Sequence, residues 1–382
     1  MGEFSKFIDE KRRSVATPND MVDQNGKCVF GTFDKEFKTM ELLKARKPTR
    51  APEFLKRLKL TLWQATEVNL KNGVLISAVC DMAFFGKTLN LFFDKRTKQV
   101  YCWDSNLKSK ETIIAPNLIN GSITQAKTDV SHIQYVNNFQ DGKCELQGHH
   151  NGKCLITPSN PNKVASKSIK ENYSQATIEY NFSLSRISLP SVVSIPFPHS
   201  DNRVLYSQKD FFKATGSLII NGEEMLSDED TVAIVDDHRG YYPRKAHYDW
   251  VTTMGKCDID GSKKWFAFNL TRNQSIDQDK YNENLIWFDG KTSLLPPVTF
   301  QKSVECKDFR NYSEWTIKDD HDMVNLKFKI YGVNPMIIHA LVISIDYYFT
   351  FGEIEGYVRD EDGKKYVLDG MLGIGEDKTL LL

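Results

Sequence analysis

The sequence predicts an all-β protein built as two antiparallel barrels or sandwiches, and three observations carry that expectation. Short segments alternate apolar and polar side chains along most of the chain, the period-two signature of half-buried strands. Turn signals return at about the 8–12-residue spacing of sandwiches and barrels. No window sustains an amphipathic helix of three turns.

Residues 1–22 are polar and aperiodic and are expected to form a loose arm. A turn at Asp23-Gln24-Asn25-Gly26 opens the first β domain, 23–195, with one helical turn expected near 36–45. From Leu58 the chain alternates: Leu58, Leu60 and Leu62, then a turn at Lys71-Asn72-Gly73, then 74–84. Runs 89–93 and 99–103 flank a polar hairpin loop. The rhythm continues through 131–138, 143–149, 153–156 and 176–184. Pro190, Pro196 and Pro198 stiffen the stretch 188–200, the natural linker, which places the second β domain at 196–382.

That second half opens with 214–220, an Asn221-Gly222 turn and 230–235. Asp237-His238-Arg239-Gly240 reads as a further turn, followed by Pro243, which cannot donate to a ladder. In 244–254, Tyr248, Trp250, Thr252 and Met254 share one face, and His247, Asp249, Val251 and Thr253 share the other. Asp258-Ile259-Asp260-Gly261 turns the chain into 264–270, and 284–288 follows a polar loop. The apolar run 336–349 is rich in β-branched and aromatic residues and reads as a buried strand.

Composition excludes several functions. Fifty basic and fifty acidic residues cancel, so no electrostatic footprint for nucleic acid or an anionic membrane exists. No apolar run reaches the ~20 residues of a transmembrane segment. The seven cysteines form no Cys-x-x-Cys pair, and residues 1–20 are too charged for a secretory signal. Reduced thiols and a cytoplasmic location are therefore expected. His149-His150 lie on alternate faces with no third ligand at useful spacing, so no metal site is expected. Phosphate-cradling, dinucleotide and nucleophile-elbow motifs are missing, so no cofactor is expected.

The central stretch, 236–300, concentrates polar and aromatic residues. Asp237 has two readings: an aspartate that accepts backbone N–H bonds in its turn, or a general acid tuned by Arg239. If Arg239 pairs with Asp237 it keeps that acid ionised, and Glu283 becomes the better donor. Asp249, Asn269, Glu283 and Asn284 lie on consecutive predicted strands and could converge among Trp250 and Trp287, in a mostly apolar pocket with a few polar groups. His247 is either a proton-transfer group or an exposed histidine. In the first half, Trp63 and Asp81 stand out. Asp81 interrupts an apolar strand and needs a partner such as Lys87 or Arg239.

The order Asp237-x-Arg239-Gly240-x-x-Pro243, Tyr248-x-Trp250, Gly255, Asn269-Leu270 and Glu283-Asn284 resembles the domain-of-unknown-function family 2804. Asn25-Gly26, Leu58-Lys59-x-x-x-Trp63, Asp81-x-x-Phe84-x-Gly86 and Gly373-x-x-Glu376 extend the likeness over residues 20–380. Tyr248 stands where that family usually has tryptophan, and Asp249 where it often has an amide. The family looks like a branch of the two-barrel lipocalin-like proteins that include carotenoid 1,2-hydratase and tocopherol cyclase. The resemblance implies two lipocalin-like barrels and a pocket for an apolar small molecule. It also implies a choice. The chain is either a cofactor-independent isomerase, cyclase or hydratase using a carboxyl acid, or a non-catalytic binding protein for a hydrophobic molecule.

Overall fold

Strands Thr61–Asn69, Gly73–Asp81, Phe85–Asp94 and Val100–Lys108 follow one another as antiparallel neighbours. Lys143–Thr157, Tyr173–Arg186, Val204–Ile220 and Val232–Gly240 continue the sheet, and the last pairs back onto Thr61–Asn69, closing a barrel. The structure is a computed structural model that describes residue 8 and residues 10–157, 172–302, 314–340 and 343–381. The second unit is an open nine-stranded antiparallel sheet, a half-barrel whose order begins Lys291–Leu294, Leu285–Phe288, Ser262–Arg272, Lys245–Ile259. It continues through Lys365–Leu381, Ile343–Arg359, Val324–Ala340, Glu314–Lys318 and Thr299–Lys302. The all-β expectation of two barrel-like units thus holds. No helix among the described residues is long and apolar enough to cross a membrane.

Hairpin chemistry explains the strand ends. Asn221-Gly222, Asp260-Gly261 and Asp289-Gly290 turn with positive φ at both positions, the twist that favours Asn-Gly and Asp-Gly pairs. Gly216 has a different task. Its φ is +154°, and a Cβ there would lie 1.9 Å from the carbonyl oxygen of Asn181 on the paired strand. Gly216→Ala should therefore cost on the order of 1–3 kcal/mol through overpacking, read as a lower denaturation midpoint. An unchanged midpoint would mean that the strand pair yields freely.

Alternation sorts most buried apolar side chains into three large cores, with smaller clusters around Phe37 and Phe197. Val68, Leu75, Phe92, Trp103 and Phe212 fill the barrel. Val251, Phe268, Trp315, Phe328 and Ile354 form the core on one face of the second sheet. Between the units, Ala65, Ile76, Leu91, Phe211 and Ile234 meet Trp250, Met254, Trp287, Phe349 and Ile374. Phe93 stacks on Phe351 across this seam, with centroids 5.1 Å apart. Each fully buried large apolar chain contributes about 1.5–3 kcal/mol, so the seam is a true third core.

Several expectations change. The boundary at 196 falls inside the first sheet: Ser191–Pro196 pairs with Val204–Ile220, and the barrel runs on to Gly240. Prolines are tolerated there because Ser191–Pro196 is short and Pro196 is its terminal residue. Asp237 to Gly240 is strand rather than turn, since the ladder to Leu62 and Gln64 holds it extended. The one helical turn expected near 36–45 is present as the 3₁₀ turn Leu42–Lys44. The run 336–349 divides between two paired strands. The described part of residues 1–22 is anchored. Ser14 and Val15 pair in parallel with Thr32 and Phe33. Arg12 is buried and donates to Thr32 Oγ1 (3.0 Å), Asn282 Oδ1 (2.5 Å) and the Asn284 carbonyl (2.8 Å), tying barrel to second sheet.

Candidate functional site

The seam between the units is not packed throughout. Around its polar end lies a cavity that opens to solvent, with Trp63, Tyr248, Trp250, Tyr347 and Glu376 among its walls. Its walls follow from period two. In Val232–Gly240, Ala233 and Val235 belong to the barrel core and Val232 and Ile234 to the seam. Asp236 and His238 therefore face the cavity, while Asp237 and Arg239 face the barrel interior. The same rule turns Ser207 and Lys209 toward the seam, together with Trp63, Glu67 and Cys80.

The barrel wall carries a connected polar network. Lys209, 2% exposed, sets its ammonium 2.8 Å from Asp236 Oδ1 and 3.8 Å from Glu283 Oε2. Ser207 Oγ donates to Glu283 Oε2 at 2.6 Å and lies 2.9 Å from His238 Nε2. The Lys209 ammonium also lies 3.1 Å from His238 Nε2, so Lys209, His238, Ser207 and Glu283 form one connected cluster. Asn273 Nδ2 donates to the other Glu283 oxygen at 2.9 Å. Burial would raise the Glu283 carboxyl. Its contact with His238, the nearby charges of His238 and Lys209, and the Ser207 hydroxyl override that and hold it well below the usual range. Burial would likewise lower the Lys209 ammonium, but Asp236 and Glu283 keep it above its ordinary value.

The facing wall comes from two adjacent ladders. Lys365–Leu381 runs between Lys245–Ile259 and Ile343–Arg359. Lys378 is opposite Tyr248 on one side and Tyr347 on the other, and Glu376 is opposite Trp250 and Phe349. Directly opposed side chains stand about 4.5–5.5 Å apart at Cβ, so this register alone builds an aromatic setting around an acid and an amine. Tyr347 donates its hydroxyl to Glu376 Oε1 at 2.5 Å. Burial pushes the Glu376 carboxyl above its ordinary value despite the charge of Lys378 and the Tyr347 hydrogen bond, and the charge of Asp236 adds to the rise. Burial also lowers the Lys378 ammonium. Glu67, buried on the barrel side of the seam, is pushed well above the carboxylate range, by burial and then by repulsion from Asp236.

The residues singled out from sequence divide. Trp63, Tyr248, Trp250, His247 and Glu283 line the cavity. Asn269 stands behind it, accepting from Trp250 Nε1 at 2.6 Å and donating to the Glu283 carbonyl at 2.9 Å. Asp237 lies on the barrel side, fully buried and bidentate with Arg239 at 2.6 and 2.9 Å. Neither Lys87 nor Arg239 answers Asp81, which pairs instead with Arg57 at 2.5 Å and accepts from Ser109 at 2.8 Å. Asn284 braces a loop, donating to the Pro296 carbonyl and accepting from the Thr271 N–H. Trp287 packs in the seam core and donates to the Leu189 carbonyl. Asp249 turns to the opposite face of its sheet, where Lys302 bridges it to Asp377, with His247 Nε2 3.4 Å away. Ser207, Lys209, Tyr347, Glu376 and Lys378 are not among the site candidates read from the sequence, and Asp236 and His238 stand there only as ionisable neighbours of Asp237. The available signal was a charge sharing a strand face with apolar residues: Lys209 alternates with Leu205 and Phe211, and Lys378 with Ile374 and Leu380.

Glu283 has a measurable consequence. A carboxyl depressed by folding contributes stability that is complete above its unfolded value, about 4.3, and is lost as pH falls toward the folded value. Glu283→Gln should therefore lower the denaturant midpoint near neutrality and flatten its further decline on acidification. Parallel acid limbs in the two proteins would show that Glu283 carries none of that dependence.

No curated protein sequence matches this chain. Among solved structures, kievitone hydratase from Nectria haematococca is similar at TM-score 0.46 and 11% identity, covering 83% of this chain and 88% of that one. An AttH-type protein from Nitrosomonas europaea is similar at TM-score 0.46 and 12% identity, covering 84% and 92%. No activity is carried over at such identities. The sequence itself is decisive: residues 12–380 match the family described as Domain of unknown function (DUF2804), and the chain belongs to that family.

Proposed function

We propose that the protein binds an apolar small molecule in the cavity between its two sheets and transfers a proton to it from Glu376, as an isomerase, cyclase or hydratase that needs no cofactor. One observation carries this reading: Glu376 is a carboxyl in the cavity wall, flanked by Trp250 and Phe349, whose burial favours the protonated form. A general acid working near neutrality needs that shift. Asp237, paired with Arg239, and Glu283, held ionised, are poorly suited to donate.

The remaining groups have roles that fit. Protonation of a double bond leaves cationic character, which the ring faces of Trp63, Tyr248 and Trp250 stabilise by about 0.5–2 kcal/mol each. Ionised Glu283, acting through Ser207, takes a proton from the substrate or from water. Removal from carbon gives an isomer or a cyclised alkene, and removal from water gives a hydrated product.

The test begins with native mass spectrometry of the protein purified from its own cells, to identify a retained molecule. That molecule, returned to the protein in D₂O, should acquire deuterium on carbon. A retained molecule that comes back unlabelled would leave the protein as a binding protein without turnover. Absence of any apolar ligand, retained or taken up, would remove the cavity reading.

A further inference from the structure

We infer that Lys378 anchors an anionic oxygen of the ligand, so that the molecule taken up is an apolar body carrying one negative charge, as a carboxylate or phenolate does. This rests on the cavity being the ligand site, as proposed above. Every other cationic group at the cavity has a partner. Lys209 is answered by Asp236 at 2.8 Å, Lys87 by Asp104, and His247 by Asp249 at 3.4 Å. His238 is held by Ser207 and Glu283. Of the cationic groups lining the cavity, Lys378 alone has no hydrogen bond or ion pair among the described residues. Its ammonium instead sits over three ring faces, 4.2 Å from Tyr347, 5.3 Å from Tyr248 and 5.8 Å from Trp63.

Those rings hold the charge but accept few of its hydrogen bonds. An ammonium has three donors and no acceptor, and the Tyr347 hydroxyl is already given to Glu376. The neighbouring Glu376 carboxyl, raised by burial and hydrogen-bonded by Tyr347, makes no hydrogen bond or ion pair to Lys378. The Lys378 ammonium therefore reaches the cavity with donors that no protein acceptor among the described residues fills. An anionic oxygen entering the cage gains a charge-assisted hydrogen bond. The same rings give the attached apolar body its walls. Because Lys378 and Glu376 are two residues apart on one strand face, an anion on Lys378 would place the adjoining carbon skeleton beside the acid.

Two fluorescent probes with one hydrocarbon frame provide the test: 1-anilinonaphthalene-8-sulfonate and its uncharged counterpart N-phenyl-1-naphthylamine. The wild-type protein should bind the sulfonate at least about tenfold more tightly, a difference of about 1.4 kcal/mol, and the two probes should compete. Lys378→Met should lose that preference while keeping its affinity for the uncharged probe, which also reports that the cavity is folded. Lys378→Gln should behave alike and serves if the methionine variant does not fold. If the uncharged probe binds and the sulfonate preference is absent, or survives in both variants, the anchor is overturned and the cavity reading stands. If the wild-type protein binds neither probe, the cavity reading falls and the anchor with it.

Discussion

Glu376→Gln should reduce the rate of deuterium incorporation into the ligand by about 10²–10⁴-fold, the range for loss of a general acid, while the ligand still binds. Glutamine keeps the shape of the side chain and can still accept from Tyr347, so the hydrogen bond of 2.5 Å has a successor. What disappears is the transferable proton. Tyr347→Phe separates support from chemistry. It removes a hydrogen bond to the ionised form, one that lowers the Glu376 carboxyl, so it should shift the alkaline limb of the pH–rate profile upward. Undiminished exchange in Glu376→Gln would refute its role as donor. Glu67, buried behind the same seam and shifted in the same direction, would then be the acid to replace next.

Arg239→Leu should cost about 3–5 kcal/mol of stability, the range for leaving one member of a buried ion pair without its partner. Asp237 is fully buried and has the guanidinium on both of its oxygens. Neutralising both together, as Asp237→Leu with Arg239→Leu, should recover much of that loss, because no uncompensated charge remains. Equilibrium denaturation measures both effects. Deuterium incorporation per folded molecule should change little in the double variant, since the pair faces the barrel core. A large loss of exchange with folding intact would restore Asp237 to the chemistry.

These two results bear on one error of placement. Asp236, Asp237, His238 and Arg239 are consecutive, and nothing in their local pattern says which alternate pair meets the ligand. The usual guide, that the apolar face is buried and the polar face wet, fails because Val232–Gly240 is covered on both sides. One side meets the barrel core and the other the second sheet. A shift of one residue exchanges the faces entirely. The same ambiguity separates Glu376 and Lys378, which face the cavity, from Asp377, which reaches Lys302 on the other side.

By itself the sequence determined the class of fold, most strand positions and the residues that share a face, because period two and turn chemistry are local properties. Of the six residues expected to converge, Trp250, Asn269 and the Glu283 backbone are joined by hydrogen bonds, whereas Asp249 faces the other side of its sheet with Lys302. Only the tertiary structure decided which faces meet. Closure of the barrel through Val232–Gly240 moved the division of the sheets from residue 196 to the short connection between Gly240 and Lys245. The docking of the two units brought Lys209 to Glu283, and Lys378 to Trp63, across separations that no local pattern encodes. The physical reason is that burial of a second apolar face depends on the partner sheet, and the site lies where that burial is left incomplete.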